Sequence, residues 1–340
     1  MNARVLATLV GLVFWFHHVS FGATLIWTNT AGGSWTNAAN WNPNQVPASA
    51  DQAVITNAGS YSITVPVVTT VGALTLGAGS GSQSLEQTFG TFTLNGEARI
   101  LSDGSLTWIS GAANGPITIS PNGSLLMNGN ATKSLYAPVT NRGTIQIVGT
   151  GELYLYGNNG ARIENEGLFE FLADRDVYGI NGNPAFRNTG TIRKSAGAGN
   201  GRLGVSGSYP VVLENTGLIE SQSGVLQLFG GGTLAGQLVT ATGARIKLVG
   251  GIFTQPAADV PVVSGAGSSR FTGGTLRLVN SIPNLQLNGG TVVLLPTFQN
   301  GGSITNLVLD GAALTGTNKV TGTLRWRDGA SNPAKAVNAG

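Results

Sequence analysis

One short phrase constrains the fold of this chain more than any other feature: Asn-x-Gly followed at once by residues that favour β-strands. It occurs four times between residues 141 and 230, at steps of 24, 23 and 27 residues, beginning at Asn141, Asn165, Asn188 and Asn215. Asn and Gly tolerate positive φ angles, so each copy is interpreted as a corner leading into a strand. A turn-then-strand unit repeating every 20–50 residues or so is typical of a solenoid. The chain is therefore predicted to be all-β and to fold as a single-stranded parallel β-helix.

The strand that follows each corner has the alternation that a stacked sheet needs. Successive side chains of a strand point to opposite faces, so Ile145 and Ile147 are expected on one face and Gln146 on the other. Phe169 and Phe171 repeat this pattern one period later. A lone strand cannot bury its apolar face, but the next period, stacked about 4.8 Å away, supplies a continuous core.

Aligning the four copies predicts columns of alternating charge on the outside of the stack. The residues before the last three asparagines are Glu164, Arg187 and Glu214. The third residues after the four glycines are Gln146, Glu170, Arg193 and Glu220. Opposite charges on neighbouring strands attract, and Arg142 is placed above Glu166 in the same way. These carboxylates are therefore interpreted as an exposed ion ladder in preference to a catalytic group.

The remaining composition supports one elongated body behind an export signal. Glycine accounts for 52 of 340 residues and only 10% are charged, as expected of strands joined by many turns. Residues 1–22 combine Arg4, an apolar run and small residues, and are predicted to be a cleavable secretory signal, with an uncleaved anchor as the alternative. We expect an N-terminal cap at 23–60, β-helix repeats at 61–327 and a disordered tail at 328–340. A Gly/Ser/Gln-rich segment, residues 77–90, is predicted to be a protruding loop.

The signal also removes several chemistries from consideration. Both histidines of the chain, His17 and His18, lie within it, and there is no cysteine. A mature chain without His or Cys has no Ser-His-Asp or Cys-His centre and no zinc ligands of those types. The net charge is +3 without a cluster of basic residues, which argues against nucleic-acid binding. No later segment has the ~20 apolar residues of a membrane helix. We predict no catalytic residue, cofactor or metal, and a secreted or outer-surface location.

Three tryptophans close to the mature N-terminus have two interpretations. Trp27, Trp35 and Trp41 are half of the tryptophans of the chain. Bulky aromatic side chains would close the end of the solenoid, where free backbone groups would otherwise be open to pairing. Exposed, the same rings would form a platform for sugars. The cap is the favoured interpretation.

The same segment resembles a known class of proteins. The residues that carry the resemblance are Gly32, Gly33, Trp35, Asn40, Trp41, Pro47, Asp51 and Ile55, followed by Gly-rich β repeats. Together they resemble the start of secreted bacterial autotransporter-passenger-like β-strand-repeat surface proteins. The resemblance implies a right-handed parallel β-helix, in some members an adhesin, and it transfers no catalytic residues to this chain.

A structural or adhesive surface protein without catalytic activity is the favoured function, with extracellular glycans or host and cell-surface components as partners. The first alternative is a polysaccharide lyase or hydrolase, with these candidates: Glu170, Asp174, Asp176 and Arg193. The three carboxylates of that set would also suit Ca²⁺, although a solvated turn is favoured because no calcium-loop motif is present. The second alternative is a module that binds glycans or ice, the latter suggested by Thr91 and Thr93.

Overall fold

The computed structural model describes residues 22–77, 80–205, 207, 209–299, 301–316 and 318–327, together with the backbone of residues 335–338. It is a parallel β-solenoid of about 12 turns with almost no helix, which confirms the predicted fold class. Most turns contribute one strand to each of three sheets, which form the three faces of the solenoid. The helical elements of the described residues are two short 3₁₀ helices, Ala38–Asn40 and Gly157–Asn159.

The three sheets are described in the order of stacking along the solenoid. The strands of the first sheet are Trp41–Asn42, Thr24–Trp27, Gln52–Ile55, Ala73–Leu76, Ala98–Ile100, Ile117–Ile119, Pro138–Asn141, Arg162–Asn165, Ala185–Asn188, Val212–Asn215, Gly231–Leu234, Ile252–Thr254, Thr275–Leu278, Thr291–Leu294 and Ala313–Thr315. Those of the second sheet are Gly33–Ser34, Tyr61–Val65, Gln83–Gln87, Gly104–Trp108, Ser124–Met127, Thr144–Ile147, Leu168–Phe171, Thr191–Lys194, Leu218–Ser221, Gln237–Thr240 and Val262–Gly265. Those of the third sheet are Thr69–Val71, Phe92–Leu94, Gly111–Ala113, Lys133–Leu135, Leu153–Tyr156, Asp176–Ile180, Asn200–Leu203, Val225–Leu228, Arg245–Leu248, Ser268–Phe271 and Leu285–Leu287.

A smaller sheet follows the main stack at the C-terminal end. Ser303–Asp310 pairs in parallel with Lys319–Arg327, and the backbone of Lys335–Asn338 pairs antiparallel with the latter. The tail predicted to be disordered therefore contains one described strand, and its other residues lie outside the described part of the chain. The predicted signal, residues 1–22, also lies outside it, apart from its last residue.

The core is built from the alternating side chains that the sequence pattern predicts. Ile145 and Ile147 face inward and are at most 2% exposed, and Phe169 and Phe171 lie next to them in the following turn at 0%. The inner face of each strand packs beside that of the equivalent strand in the next turn, so one apolar core runs the length of the solenoid. This is how a chain without cysteines holds its shape.

The four asparagines superpose as predicted, but they are not turn residues. Each is the last residue of a strand in the first sheet, and consecutive ones are direct partners in the parallel register. All four are at most 1% exposed and none has a positive φ. Asn141, Asn165 and Asn188 each donate from Nδ2 to Oδ1 of the asparagine in the next turn, over 2.7 Å in all three cases. They form a buried asparagine ladder, held in register by side-chain hydrogen bonds.

The glycines of the repeated phrase also have a different role from the predicted one. Gly143, Gly167, Gly190 and Gly217 have no positive φ, so conformational freedom is not what requires glycine. A Cβ atom on any of them would lie 2.2–2.3 Å from the carbonyl oxygen of the equivalent glycine in the preceding turn. At the glycine position, the corner between the first and second sheets is thus too tight for a side chain. The prediction of corner positions was correct, and its physical reason was wrong.

The N-terminal end is closed by an aromatic cluster. Trp27 and Trp35 pack edge to face on Trp41, with ring centroids 5.1 and 4.8 Å away, and Phe92 packs on Trp35 at 5.9 Å. The three indoles are at most 1% exposed, which leaves no ring face for a sugar. The cap interpretation is confirmed, and the tryptophan platform is excluded by burial.

The predicted loop at residues 77–90 was wrong, because Gln83–Gln87 is a strand of the second sheet with Leu85 buried in the core. The two glutamines are buried as well. Gln83 donates to the carbonyl of Gly59 at 2.6 Å, and Gln87 accepts from the N–H groups of residues 109 and 110. Polar composition misled the prediction because these amides satisfy backbone groups at the corners.

Candidate functional site

The structure brings together only two of the four residues considered for a catalytic or calcium site, since Glu170 and Arg193 are direct partners in neighbouring turns. Glu170 and Arg193 belong to the second sheet, Asp174 lies in the corner that follows it, and Asp176 begins a strand of the third sheet. Within the described residues, no three His, Cys, Asp or Glu side chains are grouped as metal ligands would be. The four candidates therefore do not converge on one point.

The charge columns have the predicted register, and most of their members are bonded. Arg187 lies between Glu214 and Glu164, with nitrogen–oxygen distances of 2.6 and 3.3 Å. Arg142 binds both oxygens of Glu166, at 2.9 and 3.1 Å.

The second column departs from the prediction in one detail. Arg193 binds Glu220 at 2.7 Å, whereas Glu170 accepts instead from Gln146 at 2.8 Å and from the Ser195 hydroxyl at 2.7 Å. Charge alternation therefore describes the column, but neutral donors satisfy its most buried carboxylate.

Reversing the charge at Arg193 tests this structural assignment. Arg193→Glu places a carboxylate between Glu170 and Glu220, and we expect the free energy of unfolding to fall by about 1–2 kcal/mol at low salt. The loss should shrink in 1 M NaCl, where the Debye length is about 3 Å. Urea denaturation at both salt concentrations measures it, with Arg193→Gln as the neutral control. Equal losses for the two variants would contradict the ion-ladder assignment.

Two lysines point into the solenoid and close the corner between the second and third sheets. Lys194 is 0% exposed, and its Nζ donates to Asp174 at 2.6 Å and to the carbonyl of Ala196. Burial alone would raise the pKa of Asp174, but the bonds from Lys194 and the Gly199 N–H outweigh it and hold that pKa below its usual value. Asp174 is therefore a structural counter-ion.

Lys133 lies on the other side of the equivalent corner, at the start of a third-sheet strand, without a carboxylate in contact. It is 1% exposed and its Nζ donates to the carbonyls of Asn128 and Ala131. Burial lowers its pKa to about 8, and the charge of Glu152 opposes this shift only in part. The charged ammonium is thus held in a site that favours the neutral amine.

We expect Lys133 to make stability rise with pH. Between about pH 8 and the unfolded-state pKa near 10.4, the folded chain binds fewer protons at this residue than the unfolded chain, so the free energy of unfolding increases with pH. The increment should be about 2 kcal/mol from about pH 7.5 to about pH 9.5. Urea denaturation across this range should show it in the wild type and not in Lys133→Met. The same pH dependence in both proteins would contradict the lowered pKa of Lys133.

The most distinctive outer surface lies on the third sheet and its adjoining corner. We call it the tyrosine face, and it consists of Tyr136, Tyr154, Tyr156, Tyr178 and Tyr209. These are five of the six tyrosines of the chain. The first four are partly exposed and Tyr209 is 44% exposed.

The rings of the tyrosine face touch from turn to turn. Tyr136 and Tyr156 stack with centroids 4.3 Å apart and planes 20° from parallel. Tyr154 meets Tyr178 at 5.1 Å, and Tyr178 meets Tyr209 at 5.7 Å, both edge to face. The first two of these pairs join neighbouring turns of the third sheet. The aromatic band therefore consists of two files along the solenoid axis, one of Tyr136 and Tyr156 and the other of Tyr154, Tyr178 and Tyr209.

Charged groups border this band on one side. Glu152 accepts from the backbone N–H of Asp176 at 2.8 Å, and Arg202 donates to Asp176 at 3.1 Å. Arg175 lies 3.9 Å from Glu152. Burial raises the pKa of both Glu152 and Asp176 despite the two arginines, and it raises the pKa of Tyr178, to which the charge of Asp176 contributes further. The border therefore contains two carboxylates, which accept hydrogen bonds, and two guanidinium groups, which donate them.

The sequence interpretation missed this face, although a signal was present. Tyr154 and Tyr178 are separated by 24 residues, the same step as Asn141 to Asn165. The repeated phrase marks only the first two sheets, so attention to it left the third sheet unaligned. Aligning each turn over its full length would have superposed the two tyrosines.

One further concavity lies at the C-terminal end of the stack. A cleft of about 280 Å³ separates the last strand of the third sheet from the smaller sheet and is lined by Ile282, Leu285, Leu287 and Leu307, among others. Its lining carries no titratable side chain. Its polar side chains are those of Ser281, Asn284 and Asn306.

The fold and these surfaces define a three-sided parallel β-solenoid with an aromatic N-terminal cap and a tyrosine-rich outer face. Searches with protein-family models, among curated proteins and among solved structures gave no match. Within the part of the chain that the structure describes, no helix has the length and apolarity needed to cross a bilayer.

Proposed function

We propose that the chain is an extracellular or cell-surface β-solenoid with a structural or adhesive role and no catalytic activity. The observation that carries this proposal is the dispersal of the candidate carboxylates, each of which is hydrogen-bonded to other side chains of the scaffold. Glu170 accepts hydrogen bonds from Gln146 and Ser195. Asp174 accepts from Lys194, and Asp176 accepts from Arg202. The resemblance to autotransporter-passenger-like surface proteins belongs to the same proposal, since such proteins use a long solenoid to present a surface.

Location is tested on intact cells that produce the chain. We expect immunolabelling and protease shaving to detect it at the surface or in the medium, and mass spectrometry of the recovered protein to find Ala23 at its N-terminus. Recovery from the cytosol with residues 1–22 still attached would overturn the proposal.

A second candidate function is glycoside hydrolysis at Glu152 and Asp176. One observation favours it: the two carboxyl groups lie in neighbouring turns beside aromatic rings, and burial raises the pKa of both, as a general acid requires. The bond from Arg202 to Asp176 argues against it, because it occupies one of the carboxylates. A reducing-end assay on neutral polysaccharides decides: release of new ends by the wild type and not by Glu152→Gln would establish hydrolysis.

A further inference from the structure

The tyrosine face extends beyond the facing strand positions of the third sheet. Cross-strand aromatic pairs stabilise neighbouring strands, which accounts for Tyr154 and Tyr178 at facing positions. Tyr209 is different, because it lies outside the named strands of the third sheet. Its short antiparallel bridge with Val205 holds it in the corner, and its ring packs against Tyr178 from there. An exposed ring brought in from a corner extends the aromatic band beyond the stacked strands.

The tyrosine face and a sugar ring are both amphipathic. A pyranose has C–H groups on its faces, which pack on aromatic rings, and hydroxyl groups around its edge, which donate and accept hydrogen bonds. The tyrosine face offers rings in its centre, and carboxylates and guanidinium groups along its border. Carboxylates accept from hydroxyl donors and guanidinium groups donate to hydroxyl oxygens.

The balance of charge indicates a neutral ligand. Glu152 and Asp176 carry two negative charges when ionised, and Arg175 and Arg202 carry two positive charges. The arginines already point to the carboxylates, at 3.9 and 3.1 Å. A polyanionic chain would meet the carboxylates without a surplus of cations to receive it.

The shape of the surface favours a chain over a single small molecule. The rings lie on the outer face of a sheet whose neighbouring strands are about 4.8 Å apart, and they follow one another along the solenoid axis. Small ligands are generally enclosed in concave sites, whereas a linear polymer gains from many weak contacts in a row.

From these observations we infer that the tyrosine face binds a neutral, unbranched polysaccharide chain lying along the solenoid axis, with sugar rings stacked on Tyr154, Tyr178 and Tyr209. This inference rests on the proposed function and names the partner for its adhesive role. The charged border orients the chain through hydrogen bonds to sugar hydroxyls.

The test is isothermal titration of the purified full-length secreted chain with cellohexaose, maltohexaose, laminarihexaose and, as a polyanion, oligogalacturonate. We expect at least one neutral hexasaccharide to bind and oligogalacturonate to bind more weakly. Tyr154→Ala combined with Tyr178→Ala should weaken binding at least tenfold, whereas the two Tyr→Phe changes, which keep the rings, should stay within about threefold of the wild type.

Thr118→Ala and Thr140→Ala are the matched controls, since both threonines point outward from the first sheet of neighbouring turns. They should leave affinity unchanged, and hydrogen exchange should show the tyrosine variants to be folded. The inference is overturned if no neutral hexasaccharide binds, if oligogalacturonate binds more tightly, or if the double alanine variant binds as the wild type does. Such a failure would leave the location assay of the proposed function unaffected, so the two can fail separately.

Discussion

Replacing Gly190 with alanine is expected to lower the free energy of unfolding by about 3 kcal/mol or more, and to open the solenoid locally. The new Cβ would lie 2.2 Å from the carbonyl oxygen of Gly167 and 2.6 Å from that of Glu166. Both are backbone atoms of the preceding turn and cannot rotate away as a side chain would. The corner must therefore move outward.

Movement of this corner breaks hydrogen bonds on both of its sides. The carbonyl of Gly167 accepts from Thr191 at 2.8 Å, and the carbonyl of Gly190 accepts from Leu218 at 2.9 Å. These bonds join three successive turns, so a clash in one turn is transmitted to its neighbours. In a repeat protein stability is approximately a sum of turn and interface terms, and two interfaces weaken together.

Gly160→Ala is the control for this experiment. Gly160 has a φ of +87°, and nothing lies within 4 Å of the Cβ position, so alanine there costs only backbone strain, about 1 kcal/mol. Hydrogen exchange followed by peptide mass analysis should show lost protection around residues 165–220 in Gly190→Ala and little change in Gly160→Ala. Equal losses would mean that the close approach of the turns at Gly190 costs no more than the backbone strain at Gly160, and would contradict the packing role assigned to Gly190.

The architecture could be predicted from sequence because stacking requires equivalent residues to recur at one period. The Asn-x-Gly phrase recurs at the corner between two sheets, and the structure superposes its copies. The roles of Asn and Gly could not be predicted in the same way. A phrase rich in Asn and Gly is normally a turn with positive φ. Whether a column of such residues lies outside or inside the stack depends on contacts between turns. One copy of the Asn-x-Gly phrase contains no information about those contacts.

The candidate site was less predictable for a related reason. The sequence marks charged residues individually, and the four considered for catalysis are near one another in the chain. In a solenoid, residues six positions apart can lie on different faces, as Glu170 and Asp176 do. Residues one full turn apart lie in contact, as Tyr154 and Tyr178 do. Proximity in this fold therefore follows the period of the turn, and the tyrosine face was missed because the repeated phrase marks only the first two sheets.

The second large effect is expected at Asn188, in the middle of the asparagine ladder. Asn188→Leu removes the acceptor of Asn165 Nδ2 and the donor to both Asn215 Oδ1 and the carbonyl of Leu218. The partners are buried, and each unsatisfied buried group costs about 1–3 kcal/mol. We expect a total loss of about 3 kcal/mol, measured by urea denaturation and by hydrogen exchange in the adjoining turns. Asn159→Ala, at an exposed position, should change stability by less than about 0.5 kcal/mol.

Replacing all four ladder asparagines with leucine tests whether the ladder stabilises the fold as one cooperative unit. The same column continues as Ile119 before the ladder and Leu234 after it, so four leucines would join an apolar column that already exists. No side-chain amide would be left without its partner, although the backbone carbonyls of Leu168, Thr191, Leu218 and Ala235 would each lose their asparagine donor. We therefore expect the fourfold variant to lose far less than four times the loss of Asn188→Leu, because replacing both partners of a buried hydrogen bond costs less than removing one. Additive losses would instead show that each asparagine stabilises its own corner independently, mainly through the backbone carbonyls, and that the ladder is not a cooperative unit.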